Sequence, residues 1–211
     1  MSKIKHWKKG SGSYIIDEIS TPNSVLKSIN TGKKVLQCTT AGTIALQSKQ
    51  AYGEWEFDVY KDSLDYDISF ISQDIIDAVN GSNYHFRIAT ATNNRFELQK
   101  RVSGAYTLLF KSPENYLDDD TWYKLKVARL QSEGTFKSII PSMTIVYPAD
   151  TFAVFIKGGD FGNDWTLVDT TGGSGTNPVK DSTYKTSNYF VADLDAGDRL
   201  ANLKIYDGVK Q

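Results

Sequence analysis

Apolar and polar residues alternate with a period of two along most of this 211-residue chain. In YHFRIAT, for example, Tyr84, Phe86 and Ile88 fall on one side, and His85 and Arg87 fall on the other. About a dozen segments show this alternation, each bounded by turn-forming residues such as NTGK, ATNN and VSGA. The Asn80–Gly81 step predicts a tight hairpin turn, because both residues tolerate positive φ. Short strands that are apolar on one side must bury that side against another sheet. The sequence therefore predicts an all-β chain folded as a two-sheet antiparallel β-sandwich.

Two segments interrupt the alternation. Residues 137–151 contain two of the five prolines and predict a flap inserted between neighbouring strands. Residues 170–187 are rich in Gly, Ser, Thr and Asn and predict a long surface loop, a kind of segment that is usually functional or disordered. We expect a single domain over 13–211. The preceding N-terminal arm, residues 1–12, carries four lysines and is either a solvated tail or a docking segment.

Charge and cysteine content exclude several classes of protein. The formal net charge of −1 argues against nucleic acid as the main partner. The single cysteine, Cys38, permits no intrachain disulfide.

The basic N-terminus is not followed by the apolar run of about 7–15 residues typical of a secretion signal, and no stretch reaches the roughly 20 apolar residues of a membrane span. We therefore expect synthesis in the cytoplasm, without a signal peptide or membrane insertion.

The segment GEWEFDVYKD, residues 53–62, places three carboxylates on one side of a predicted strand. This acidic row comprises Glu54, Glu56 and Asp58, and Trp55, Phe57 and Val59 form the opposite side. A retaining glycosidase needs two carboxyl groups about 5–5.5 Å apart, one of them held protonated. Alternate residues of a strand lie about 6.6–6.8 Å apart at the backbone, so the spacing admits this chemistry. The same pattern is typical of the polar face of a half-buried strand.

Six side chains on or beside predicted loops form the candidate ligand-binding set. Aromatic rings on loops can stack on the apolar face of a pyranose, while Asp and Asn bind its hydroxyl groups. The set comprises Tyr116, Phe161, Asn163, Asp164, Trp165 and Tyr184. Trp165 begins a predicted strand, so it either belongs to such a surface or turns towards the core.

Asp193, Asp195 and Asp198 are the candidate metal ligands. Closely spaced carboxylates suit calcium, but DLDAGDR lacks the glycine and the closing glutamate of an EF-hand loop. The AGD step also indicates a simple turn. Calcium is therefore the one cofactor that the sequence leaves open, and no other cofactor is expected.

Five segments together resemble a concanavalin A-like, laminin-G-like jelly-roll module. They are GSGSYIIDE, KKVLQCTTAGTIALQSKQAYGEWEFDVYK, WYKLKVARL, FIKGGDFGNDWTLVD and GGSGTNPVKDSTYKTSNYFVADLDAGDRLANLKI. The resemblance covers nearly the whole chain. It implies two curved sheets with a concave face, with the first and last strands as neighbours. Modules of this kind occur in structural proteins of tailed bacteriophages, as capsid decoration, fibre or baseplate components, or carbohydrate-binding heads.

The resemblance implies a non-enzymatic protein of the virion surface that binds partner proteins, cell-surface glycans or both, and that forms homo-oligomers. Two alternatives stay open. One is a glycoside hydrolase of the laminarinase and lichenase kind, whose signature is Glu-x-Asp-x-Glu. This chain has Glu54-x-Glu56-x-Asp58 instead, and a misplacement of about 1 Å can reduce a rate roughly a hundredfold. The other alternative is a non-viral, lectin-like carbohydrate-binding domain.

Overall fold

The structure, a computed structural model of the chain, consists of two antiparallel β-sheets packed face to face. It describes residues 6–10, 13–18, 24–29, 33–38, 41–61, 66–75, 80–89 and 93–209. Within these ranges the helical structure is a single 3-10 turn at Gly159–Phe161, and no helix is long and apolar enough to cross a membrane. The predicted all-β sandwich is confirmed.

The strands follow one another in chain order along the described ranges. They are β1 (His6–Gly10), β2 (Ser13–Glu18), β3 (Ser24–Ile29), β4 (Lys33–Cys38), β5 (Gly42–Gln47), β6 (Gly53–Lys61), β7 (Tyr66–Ser72), β8 (Asn83–Ala89), β9 (Arg95–Val102), β10 (Ala105–Lys111), β11 (Thr121–Arg129), β12 (Thr151–Gly158), β13 (Thr166–Leu167), β14 (Ser174–Gly175), β15 (Val179–Lys180), β16 (Tyr189–Leu194) and β17 (Arg199–Asp207). Sheet A has the order β1-β2-β17-β6-β11-β12-β13, with β4 also beside β17, β3 beside β4, and β15 beside β12. Sheet B has the order β14-β10-β9-β8-β7-β16-β5.

The last strand, β17, lies between β2 and β6 in sheet A. Strands near the beginning and the end of the chain are therefore neighbours. This arrangement agrees with the neighbouring first and last strands that the resemblance implies. Part of the predicted N-terminal arm belongs to the same sheet, since residues 6–10 form β1 and pair with β2. The edge strand of a sheet has unpaired backbone N–H and C=O groups. β1 pairs with the groups that β2 would otherwise leave unpaired at this edge. The other residues of the predicted arm lie outside the described ranges.

The main core lies between the sheets and is built from the apolar side of each alternating strand. Trp55, Phe57 and Val59 of β6 are fully buried there, so the prediction for the apolar side of GEWEFDVYKD is confirmed. Phe57 stacks on Phe86 of sheet B, with ring centroids 5.2 Å apart. Trp55 contacts Phe70, also of sheet B, at 5.3 Å. These contacts join the two sheets across the centre of the sandwich.

A second, smaller core lies on the outer face of sheet A. The connection between β11 and β12 covers this face and contains residues 137–150 of the predicted flap, whereas Thr151 begins β12. Phe136 is fully buried, with its ring centroid 6.0 Å from Phe155 of β12 and 5.5 Å from Tyr147 of the flap. The flap is therefore a packed layer over one part of sheet A.

The segment at 170–187 has little apolar content, and Arg129 of β11 holds its second half in place. Arg129 is fully buried, and its guanidinium carbon lies 4.5 Å from the ring centroid of Tyr52 and 4.6 Å from that of Phe152. The Arg129 guanidinium donates hydrogen bonds to the carbonyl oxygens of Ala51, Asp181 and Tyr184 and to the carboxylate of Asp150. The predicted surface loop also contains β14 and β15, which pair with β10 and β12, and Arg129 adds fixed contacts from the interior of the sandwich.

One predicted turn was wrong. A tight hairpin at Asn80–Gly81 would place β7 and β8 two residues apart, but β7 ends at Ser72 and β8 begins at Asn83. A two-residue hairpin does join β9 and β10, at Ser103 and Gly104 of the predicted VSGA turn. Both residues have positive φ, 49° and 81°, as a type I′ turn requires.

Candidate functional site

The acidic row lies on the outer face of sheet A among lysines of the neighbouring strands. A Glu54 oxygen is 2.9 Å from the Lys126 ammonium, an Asp58 oxygen is 3.1 Å from that of Lys124, and Glu56 has three lysines within 3.4–3.6 Å. Burial acts to raise the pKa of Glu56, but the surrounding ammonium groups hold that pKa below its ordinary value. The three lysines around Glu56 are Lys124, Lys126 and Lys204.

This pairing favours the ionised form of Glu56. A glycosidase needs one carboxyl group that retains its proton near neutral pH, which burial or a second carboxylate normally provides. Here the nearest charges are positive instead. The acidic row therefore has the geometry of an ion-paired sheet face.

The six predicted ligand-binding side chains do not form one surface. Phe161 packs on Tyr116, with ring centroids 5.0 Å apart. Tyr184 lies elsewhere, with its ring 5.4 Å from that of Tyr84, and its hydroxyl donates a hydrogen bond of 2.6 Å to the carbonyl of Arg101. Each of these three predicted side chains packs against the main core.

The remaining three predicted side chains lie around the loop before β13. Trp165 packs against the second core, and the ammonium groups of Lys126 and Lys157 lie 5.1 Å and 4.6 Å from a ring centroid of Trp165. Asn163 lines a cleft of about 410 Å³ that also includes Asp58, whereas Asp164 is exposed. Of the predicted set, Asn163 alone is among the described side chains that line this cleft.

Two of the three candidate metal ligands, Asp195 and Asp198, take part in a local turn. A carboxylate oxygen of Asp198 accepts a hydrogen bond of 2.9 Å from the backbone N–H of Asp195, which closes the turn between β16 and β17. Asp193 lies on β16, opposite Asp67 of β7. No group of three or more His, Cys, Asp or Glu side chains able to hold a metal ion occurs among the described residues. Calcium binding stays a prediction from the sequence.

A different set of polar side chains converges on the outer face of sheet B. Because alternate residues of each strand fill the core, the residues between them share the opposite face, and the strand register aligns them in rows. One row runs from Asp193 through Asp67 and Arg87 to Glu97, and a parallel row runs from Ser69 through His85 and Gln99 to Leu108. We call this surface the polar face of sheet B.

Four side chains along β9 form a continuous hydrogen-bonded series on this face, which we call the β9 ladder. Arg95 donates to one oxygen of Glu97 at 2.6 Å, and the Gln99 amide donates to the other at 2.7 Å. Arg101 donates to the Gln99 oxygen at 3.2 Å and to the backbone carbonyl of Gly104 at 3.0 Å. Each bond fixes the orientation of the next group, so the ladder holds its four side chains in one arrangement.

The β9 ladder forms the floor of a cleft of about 390 Å³. This volume lies within the range of roughly 300–1,000 Å³ typical of small-ligand sites. Tyr106 of β10 stands beside the ladder, with its ring centroid 5.4 Å from the Arg101 guanidinium carbon, and is 63% exposed. The lining side chains belong to Arg87, Asn93, Arg95, Glu97, Gln99, Arg101, Tyr106, Leu108 and Lys111.

Asp67 and His85 form a buried titratable pair beside this cleft. The His85 Nδ1–H donates to the Asn83 side-chain oxygen at 2.9 Å, which leaves Nε2 as an acceptor, 3.6 Å from a carboxylate oxygen of Asp67. Burial, reinforced by Asp193, raises the pKa of Asp67 to about 7. Burial, with the charge of Arg101, lowers the pKa of His85 to about 3. At pH 5 the pair therefore holds one titratable proton, which is on the Asp67 carboxyl group, and the His85 imidazole is neutral.

This pair predicts opposite pH dependences for its two single variants. Asp67 binds a proton more tightly when folded, so its contribution to stability is present at low pH and is lost as pH rises towards 7. His85 binds a proton less tightly when folded, so its contribution is lost as pH falls below about 6.5. From pH 7 to pH 5, Asp67→Asn should lose stability relative to the wild type, and His85→Gln should gain it. Urea denaturation at both pH values measures the two changes.

The variant carrying both substitutions is the control for this prediction. Near pH 5 the pair holds one titratable proton in both the folded and the unfolded chain. The contributions of Asp67 and His85 to the pH dependence of stability therefore nearly cancel in the wild type. Both contributions are absent from the double variant. Its pH dependence should therefore match that of the wild type. Equal slopes in the two single variants would contradict the assignment.

The sequence gives an incomplete signal for the polar face. The alternation places His85 and Arg87 on one side of a strand and Glu97 and Gln99 on one side of another. Their convergence depends on the register of β8 and β9, which pairs His85 with Gln99 and Arg87 with Glu97. The short connection between the two strands was the available signal, because successive strands joined by a few residues usually pair.

No protein family model and no curated protein matches the chain. Among solved structures, the carbohydrate recognition domain of Emp47p is similar at a TM-score of 0.51 and 10% identity, over 98% of this chain and 93% of that one. The carbohydrate-binding module CBM66 from Bacillus subtilis has a TM-score of 0.47 and 14% identity, over 95% and 91% of the two chains. Galectin-Va of Xenopus laevis has a TM-score of 0.41 and 8% identity, over 77% and 96%.

At such low identity these similarities concern the fold alone. The Emp47p domain shares the two-sheet arrangement along almost the full length of both chains. The jelly-roll sandwich that the sequence resemblance implies is therefore confirmed.

Proposed function

We propose that this protein is a carbohydrate-binding module that binds saccharides in the cleft on the polar face of sheet B. The observation that carries the proposal is the β9 ladder, a fixed series of hydrogen-bond donors and acceptors beside the exposed ring of Tyr106. A pyranose presents hydroxyl groups at its rim and an apolar face, which suit such a ladder and an adjacent aromatic ring, respectively. Structural similarity to a carbohydrate recognition domain accords with this function.

We expect binding without hydrolysis. On sheet A the carboxylates that a glycosidase would use are paired with lysines. On the β9 ladder the one carboxylate, Glu97, accepts hydrogen bonds from Arg95 and Gln99 on its two oxygens, and no second carboxylate is among the described side chains that line the cleft. Incubation with β-glucans, agar and carrageenan should therefore release no reducing ends. Hydrolysis by the wild type that is abolished in Glu54→Gln would instead identify the chain as a glycosidase.

Tyr106→Ala should weaken saccharide binding by about two- to tenfold, because it removes an aromatic contact without disturbing the core. Tyr60→Ala is a matched control on the opposite sheet. Tyr60 also lies beside an arginine, with its ring centroid 4.3 Å from the Arg199 guanidinium carbon, but it faces away from sheet B. A glycan array identifies ligands of the wild type, and titration calorimetry then compares the variants.

Gln99→Leu tests the ladder itself. It keeps a side chain of similar size but removes the group that joins Glu97 to Arg101, so affinity should fall by about tenfold. Thermal unfolding of each variant shows whether the fold is retained. The proposal is wrong if the wild type binds no saccharide on the array, or if Tyr60→Ala weakens binding while Tyr106→Ala and Gln99→Leu do not.

The sequence resemblance carries a further part of the proposal, that the module is displayed on the surface of a bacteriophage particle and contacts other virion proteins as a homo-oligomer. Detection of the protein in purified particles would support this placement. Its absence from particles would favour the non-viral, lectin-like alternative, which uses the same cleft.

A further inference from the structure

We propose that the saccharide bound in the sheet B cleft is anionic, with carboxylate or sulfate groups along it. This inference rests on the proposed function and assigns the chemical class of its ligand. It follows from the charges that line the cleft and from the chemical nature of the cationic groups.

Positive charge predominates in the lining of the cleft. Four of the lining side chains are cationic, and one, Glu97, is a carboxylate. The four cations are Arg87, Arg95, Arg101 and Lys111. A concave site lined mainly by one sign of charge attracts ligands of the opposite sign and increases their rate of association.

The cations stand on three adjacent strands around the single carboxylate. Glu97 is opposite Arg87 of β8 on one side and Lys111 of β10 on the other. Along its own strand it accepts the 2.6 Å hydrogen bond from Arg95. One negative charge thus meets three positive charges at this end of the cleft, and Arg101 adds a fourth at the other end.

Carboxylates beyond the cleft offset this surplus only in part. Asp67 lies behind Arg87, at 3.9 Å from its Nε, and its pKa of about 7 leaves it partly protonated at neutral pH. Glu114 lies 3.7 Å from Arg95, but its side chain is 65% exposed, so water screens its charge. Asp193 lies one strand further away, beyond Asp67.

Three of the four cations are arginines, which distinguish acidic from neutral sugars more sharply than lysines do. The planar guanidinium group donates two parallel hydrogen bonds that match the oxygens of a carboxylate or a sulfate. A neutral hydroxyl group has a single oxygen and no negative charge, so it gains neither the parallel pair of bonds nor the ion pairing. The arginines of this lining therefore suit carboxylate or sulfate groups on a sugar better than neutral hydroxyl groups.

The test compares three probes by titration calorimetry on the full chain: an oligogalacturonate, a sulfated carrageenan oligosaccharide and a neutral cello-oligosaccharide. We expect at least one acidic probe to bind about tenfold or more tightly than the neutral probe. Its affinity should fall as sodium chloride is raised from about 50 to about 300 mM, because salt screens charge.

Arg87→Gln should reduce affinity for the acidic probe by about tenfold and should change that for any neutral ligand by less than about twofold. Lys157→Gln is the matched control, because it removes a cation that lines the cleft on sheet A. Equal binding of neutral and acidic probes, or an equal loss in both variants, would overturn this inference and leave the proposed function intact. Failure of any saccharide to bind would overturn the proposed function.

Discussion

Arg129→Met is expected to lower the free energy of unfolding by about 3–5 kcal/mol. The wild-type guanidinium is fully buried and is compensated by the Asp150 carboxylate and by three backbone carbonyls. Methionine fills much of the same space but donates no hydrogen bond. Four acceptors then lose a donor, those on Ala51 and Asp150 in buried bonds, although the Tyr52 hydroxyl still donates to Asp150 at 2.9 Å.

Urea denaturation measures this change, and hydrogen exchange should locate it. Amides at 181–187 should exchange faster in Arg129→Met, because this segment loses the bonds from Arg129 to Asp181 and Tyr184. Arg199→Met is the control, since Arg199 also lies beside a tyrosine ring but is only partly buried. We expect it to change stability by about 1 kcal/mol or less. Similar losses in the two variants would contradict the role given to Arg129.

Trp55→Ala is the second large effect, with an expected loss of about 3–5 kcal/mol. Trp55 is fully buried between the sheets and contacts Phe70 across the core. Its removal leaves a cavity that the two hydrogen-bonded sheets cannot close by moving together. The indole Nε1–H has no hydrogen-bond partner in the described structure. Trp55→Phe should therefore lose less stability, since it removes an unsatisfied donor together with part of the volume.

Trp122→Ala is the control for this prediction. Trp122 lies on β11, directly opposite Tyr60 of β6, and is partly exposed on the outer face of sheet A. Its replacement should cost about 1 kcal/mol, measured by urea denaturation alongside Trp55→Ala. A loss for Trp55→Ala no greater than that for Trp122→Ala would show that the centre of the sandwich tolerates a cavity.

The sequence predicts the layers of this fold because a period of two directly assigns each side chain to a face. Trp55 and Phe57 could be placed in the core from GEWEFDVYKD alone. Turn positions were less predictable. Asn80–Gly81 has the composition of a tight hairpin but lies in the longer connection between β7 and β8, whereas the predicted VSGA turn does form a tight hairpin at Ser103–Gly104.

The surroundings of the predicted site residues were less accessible to prediction, because they depend on residues that are distant in sequence. The lysines that ion-pair the acidic row come from β11 and β17, which flank β6 only after folding. Tyr184 has the sequence context of an exposed loop ring, but it packs on Tyr84 across 100 residues of chain. Sequence identifies which side chains leave the core, whereas strand register determines which of them meet.

The spacing of the β9 ladder also limits the shape of the proposed ligand. The four side chains of the ladder occupy alternate positions on one strand, so they recur about every 6.6–6.8 Å and extend over roughly 20 Å. The hydrogen-bonding groups of the ladder thus lie in a row along the strand. A single sugar ring reaches only part of that row, and a ligand that engages all four groups must itself be an extended chain lying parallel to the strand.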